Sequence, residues 1–225
     1  SGKQDAIAAD LATKVPPAGA QPIQATTIMP GANPGTKFSY GGFVRTDIMA
    51  TNTDSGEIPD SSAGRLFYLP GAIPVASGNE GTDLDAHAQF SRIWFAADTQ
   101  LDSGDKLRGY VELDFFGGAL GNEVATNTYG VTIRHLLASW NKWSVGQTWS
   151  NFQDVGALPD AVDFVGPSEG TIFVRQAQVR YTNGPWSFSL ENPETTIAPF
   201  GGGARISSDD NSLPDLTARY MHKGD

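Results

Sequence analysis

One pattern limits this chain more than any other. It is period-two alternation broken by connections that are alternately minimal and long. The clearest run is LRGYVELDFF, residues 107–116, which sets Leu107, Gly109, Val111, Leu113 and Phe115 against Arg108, Tyr110, Glu112 and Asp114. Successive side chains of a strand point to opposite faces, so alternation over this length predicts a strand with one apolar and one polar face. FSYGGFVRTDIMA, residues 38–50, repeats the pattern, with Tyr40, Gly42, Val44, Ile48 and Ala50 on one side and Arg45 and Asp47 on the other. Further strands are expected at 86–98, 132–140, 143–151, 172–182, 186–191 and 215–222. Most approach the ~9–11 residues with which a tilted strand crosses a bilayer.

The connections decide the class. Leu101–Asp105, Asn141-Lys142 and Asn183-Gly184-Pro185 have the residue types of tight hairpin turns. Between them lie the long segments 52–82, 117–131, 153–170 and 193–214. Nothing in a water-soluble sandwich gathers every short turn at one end. In an outer-membrane barrel that segregation is the rule, with short turns periplasmic and long loops outside. Trp140, Trp143, Tyr181, Trp186 and Tyr220 stand beside the short turns, where an interfacial girdle would lie. The expected fold is therefore all-β, an antiparallel transmembrane β-barrel. A soluble β-sandwich binding module is the alternative, because it shares the alternation with one face in a core.

Composition narrows the functions. The formal net charge is −10, which argues against a nucleic-acid partner, and the chain has no cysteine for disulfides or thiolate metal sites. No run of eighteen apolar residues is present to make a transmembrane helix. A mean hydropathy of −0.27 does not oppose a barrel, whose apolar residues are hidden in alternation. The length of 225 residues suits one domain. Residues 1–37 are small, polar and proline-dotted, and are expected to form a linker or extension ahead of the strands at 38–225. The chain starts at Ser1 without an apolar leader, so a signal peptide, if there was one, is expected to have been removed already.

The runs GGFVRTDIMA, WSVGQTWSNF, RQAQVRYTNG, FSLENPET and LPDLTARYMHKGD, spread from about Pro34 to Asp225, resemble the DcaP-like outer-membrane porins of Gram-negative bacteria. The resemblance implies a homotrimer of sixteen-stranded barrels embedded in outer-membrane lipid and preceded by a helical coiled-coil segment. It also implies uptake of small dicarboxylates and related anions. This chain departs from the pattern by offering only about eight strands, and its last residues, His222–Asp225, read as another turn. It is therefore expected to be the N-terminal half of a larger barrel. A small eight-stranded barrel closing on itself is also possible physically, but side chains would fill its lumen.

Candidate site residues follow from the polar faces. Arg45, Arg108, Arg134, Arg180 and Arg219 interleave with Asp47, Glu112, Asp114 and Glu191. Arginine facing lipid near the midplane costs ~2–4 kcal/mol, so these residues are expected in a water-filled lumen. There they either attract anions, as guanidinium rings do, or brace the wall by pairing with the acids. Alternation around Arg92 and Arg175 is ambiguous. Residues 153–170 carry Asp154, Asp160, Asp163 and Glu169 around Pro159 and Pro167. By the resemblance this is the third extracellular loop, which folds inward to form a constriction; a solvated surface loop is the alternative. Loop acids Asp54, Glu57, Asp60, Asp209, Asp210 and Asp215 lack EF-hand spacing, and no metal or cofactor is expected. His87, His135 and His222 belong to no catalytic constellation, and His135 with Ser139 has no nucleophile-elbow motif, so no enzyme is expected. A non-conducting structural or adhesive barrel is the other alternative.

Overall fold

The computed structural model describes residues 35–59, 65–66, 73–75, 78, 81–117, 130–158, 174–197, 199–200, 206–208 and 211–222. The expected extension at 1–37 therefore lies almost wholly outside the described residues. Twelve strands are present among those described. They are β1 (Lys37–Phe43), β2 (Asp47–Asn52), β3 (Thr82–His87), β4 (Arg92–Gln100), β5 (Lys106–Gly117), β6 (Gly130–Trp140), β7 (Trp143–Trp149), β8 (Arg175–Asn183), β9 (Trp186–Glu191), β10 (Thr195–Ile197), β11 (Ile206–Ser208) and β12 (Asp215–Tyr220). Eight of them form one antiparallel sheet in the order β1-β4-β5-β6-β7-β8-β9-β12. Each of the edges β1 and β12 has one partner in this sheet, so among the described residues it does not close on itself.

Register explains why the sheet has two unlike faces. One row of paired residues crosses seven strands as Asp98, Arg108, Ser139, Ser144, Arg180, Ser189 and Thr217, polar throughout. The next row reads Ala97, Gly109, Ala138, Val145, Val179, Leu190 and Leu216, apolar throughout. A slip of one residue in any strand would mix the rows, so the sequence specifies the register strongly. The apolar face is the exposed one, carrying Phe95, Leu136, Val145, Leu190 and Leu216 in the open. Buried side chains among the described residues are mostly polar, including Glu112, Asp114, Arg134, Asn151 and Glu191; Ile58, Phe90 and Ala96 make up the buried apolar set. A soluble domain has the reverse arrangement.

Three minimal turns stand at one end. Asn141, at φ 50°, takes the left-handed conformation that a two-residue hairpin turn requires. Its side chain accepts from Lys106 N at 2.9 Å and donates to Asp105 at 2.8 Å, so one turn is bonded to the next. Above these turns a third row pairs Leu107, Trp140, Trp143, Tyr181 and Phe188, which places the aromatic residues in one band.

The first hairpin differs from expectation. The strands expected at 38–50 and 86–98 are each broken, because β1 pairs with β4 while β2 pairs with β3 as a separate two-stranded sheet. At the break, Ser91 Oγ accepts from Arg45 N at 3.0 Å, and the Arg45 guanidinium sits 5.5 Å from the centre of the buried Phe90 ring. The short ribbon β10–β11 lies within a segment read as plain loop.

Candidate functional site: the charged face of the sheet

The polar face is most charged where β5 meets β6, and a bulge creates the site. Glu112 pairs with His135, and the next residue, Leu113, pairs with Ile133, which leaves Arg134 as the extra residue. A bulge places two residues of one strand opposite one of its partner. Arg134 and His135 are thus both buried, although strict alternation would put them on opposite faces.

Arg134 donates from Nε to Glu112 at 2.8 Å and from Nη1 to Asp114 at 2.9 Å. Glu112 also accepts from the Tyr110 hydroxyl at 2.5 Å, and Arg92 Nε lies 3.4 Å from its other oxygen. His135 Nδ1 is 3.0 Å from Thr148 Oγ1, and its ring meets Trp149 edge-on at 5.7 Å. Two guanidinium groups share the Trp149 ring, Arg175 at 4.7 Å and Arg134 at 5.8 Å from its centre. Three arginines therefore gather around two carboxylates. Among the described residues, Arg175 Nη1 and Arg92 Nε find no hydrogen-bond acceptor.

The segment after β7 lies against the same face. Asn151 is fully buried, and its backbone N donates to Glu191 at 2.7 Å. Its side chain donates to Ser187 O at 3.2 Å and to Thr217 Oγ1 at 2.9 Å, and accepts from Ser187 Oγ at 2.6 Å. Ser189 Oγ donates to Glu191 at 2.6 Å, completing a satisfied polar network. Two residues on, Arg219 donates to Gln153 O at 3.1 Å. Ser150–Gln153 is thereby pinned to β9 and β12. Asp154 is exposed and caps the short 3-10 helix Val155–Ala157 by accepting from Gly156 N at 3.1 Å. Asp160, Asp163 and Glu169 lie outside the described residues.

The other expected site residues are spread along the face. Arg108 pairs with Asp98 at 3.1 Å, both partly exposed, and Arg45 pairs with Asp47 at 2.7 Å beside the break in the first hairpin. Arg180 donates to Gln178 at 2.8 Å and to Trp149 O at 2.5 Å. Of the expected set, Arg134, Glu112 and Asp114 meet in one cluster, and Arg45 meets Asp47 apart from it. Sequence reasoning left Arg92 and Arg175 unassigned and singled out neither Asn151 nor Trp149. A bulge and a strand end both break the alternation on which that reasoning ran; the GQTWSNF run, residues 146–152, was the signal present. Among the described residues no group of acids and histidines could hold a metal, and no helix is long and apolar enough to cross a membrane, which bears on helices alone.

A sheet polar within, apolar without and banded with aromatics beside its minimal turns defines the class, that of porin-like outer-membrane β-proteins. The sequence model of the DcaP outer membrane protein family matches residues 21–223, and the chain belongs to that family. Its place is the bacterial outer membrane. Among solved structures it is similar to the outer membrane channel DcaP of Acinetobacter baumannii, at 28% identity and a TM-score of 0.56 over 83% of this chain. The chain spans 49% of that channel's length. No curated protein matches it. Outer membrane channels are not an enzyme class, in keeping with the absence of a catalytic constellation in the sequence.

Proposed function

We propose that the described sheet is about half the wall of a sixteen-stranded transmembrane β-barrel, which forms a water-filled channel for small anionic solutes such as dicarboxylates. Residues 1–37 would then be an extension preceding the wall, and the assembly a homotrimer, as the resemblance to DcaP-like porins implies. One observation carries the channel reading: the buried face is lined by charge and the exposed face by Phe, Leu, Val and Trp. Such an inverted sheet is stable only with lipid outside and water within.

The preference for anions rests on the cluster at Trp149. Three arginines face two carboxylates, and planar guanidinium forks suit a solute carboxylate. Arg108 and Arg180 continue the path toward the short turns, with Arg45 and Arg219 flanking it, while Glu112 and Asp114 keep the cluster weak enough to release its solute. By the resemblance, the loop that begins near Asn151 would fold into the lumen, with Asp154, Asp160 and Asp163 as its acidic, constricting side. The test is planar-bilayer recording on the full-length protein. Arg175→Gln and Arg108→Gln should each move the reversal potential toward cations. Conductance with unmoved reversal potentials would leave a general pore whose arginines brace the wall, and absent conductance would leave a structural barrel.

A further inference from the structure

The short-turn end holds a feature that transport does not use. A groove of about 640 Å³ lies there, walled by Trp140, Trp143 and Tyr181 and lined also by Lys106 and Lys142. Trp143 and Tyr181 pack at 4.9 Å, and Trp140 and Trp143 are each about half exposed. The described lysines are Lys37, Lys106 and Lys142; all stand at this rim, since Lys37 pairs with Asp98 two residues before the end of β4. Arginine, by contrast, fills the polar face above. The rim is also built to hold shape. Lys142 Nζ donates to Asn183 Oδ1 at 2.8 Å, fixing its ammonium beside the groove, and Asn141 joins the neighbouring turn through Asp105 and Lys106.

We infer that this groove is a binding site for one phospholipid headgroup of the leaflet at the short-turn end, and that the headgroup is zwitterionic, with a phosphate and a primary ammonium. The inference rests on the outer-membrane reading above. Lysine ammonium groups are compact, strongly hydrated point charges that suit phosphate. Two of them at a level where Trp and Tyr sit between acyl chains and water put a phosphate acceptor at headgroup depth. Asp105 lies beside the groove, bonded to Asn141 and Ser103. Its carboxylate repels a purely anionic headgroup and attracts the ammonium of a zwitterionic one. The acyl chains would then run up the exposed apolar face past Leu136 and Val145.

Native mass spectrometry of the full-length protein tests this after extraction from vesicles of equal phosphatidylethanolamine and phosphatidylglycerol. The expected result is one retained phosphatidylethanolamine per chain, reduced at least tenfold in Lys106→Gln/Lys142→Gln and in Trp143→Ala, and unchanged in Lys37→Gln. Asp105→Asn should admit phosphatidylglycerol. Equal retention of both lipids by the wild type, or equal loss in Lys37→Gln, overturns the site. In either case bilayer conductance of the same preparations separates that failure from failure of the channel reading, which would abolish current in the wild type. Assembly of the variants is checked by their conductance, so a misfolded variant is replaced by Lys142→Gln alone, for which a loss of at least threefold is required.

Discussion

Arg134 carries two strong bonds to carboxylates inside the sheet, and it can do so only because a bulge turns it inward. Removing one partner of a buried ion pair costs ~3–5 kcal/mol, because the remaining charge stays buried without compensation. Arg134→Gln should therefore lower the thermal unfolding midpoint of the full-length protein markedly. Arg108→Gln, which breaks a pair in contact with solvent, should cost no more than ~1 kcal/mol. Equal losses in the two variants would contradict this ranking. Asp105 offers a pH test at the rim. Hydrogen bonds from Asn141, then Ser103, hold its carboxyl below the ordinary value of 3.8. Its contribution to stability is therefore complete above pH ~3.8 and is lost as pH falls through the depressed value. In urea titrations, Asp105→Asn should flatten the pH dependence below that point; an unchanged slope would show that the bond to Asn141 is not formed in solution. The pairing of Glu112 with its neighbours was beyond sequence reasoning, because alternation identifies a face but not who meets whom on it.

At the scale of elements, alternation located the strands of the sheet outside the first hairpin to within a few residues, and turn chemistry located all three minimal turns. What alternation cannot register is an extra residue, so the bulge at Arg134 and the break at Val44–Thr46 escaped it. Gly146 shows why such positions matter. Its φ is 130°, and a Cβ there would stand 2.0 Å from Leu136 O, so the strand can approach its neighbour only as glycine. Two outcomes follow for β5 and its turns. Val111 pairs with Phe95 and Leu136 on the apolar face, so Val111→Arg should cost ~2–4 kcal/mol and reduce the assembled fraction in membranes. Normal assembly would mean that this face does not meet lipid. Cysteine placed at Ser55 should react with an impermeant maleimide on whole cells, whereas cysteine at Ser103 should be protected. Labelling of Ser103 from outside would invert the orientation.

The whole molecule sets charge against charge. The chain carries a net −10, yet arginine dominates its densest cluster. Any anion preference is therefore local, and screening should erase it. The Debye length shrinks from ~10 Å at 0.1 M salt to ~3 Å at 1 M. The reversal-potential difference between wild type and Arg175→Gln should fall accordingly; persistence at 1 M would point to direct coordination of the solute.

Apart from β1 with β4 and β9 with β12, pairs that flank the ribbons β2–β3 and β10–β11 in the chain, every strand of the sheet bonds to the strand beside it in the chain. Such a meander forms by successive local closures, each with a small loss of chain entropy. The bond from Asn151 to Thr217 is of another kind, since it spans 66 residues and needs β8, β9 and β12 in place beforehand. Time order is thus written into the architecture: sheet first, the segment Ser150–Gln153 last. Asn151→Ala should leave the acquisition of β signal during refolding into detergent unchanged in rate and slow only the final protection of the backbone N–H at position 151, which donates to Glu191, from hydrogen exchange. A slowed β signal would show that the segment helps to raise the wall it leans on.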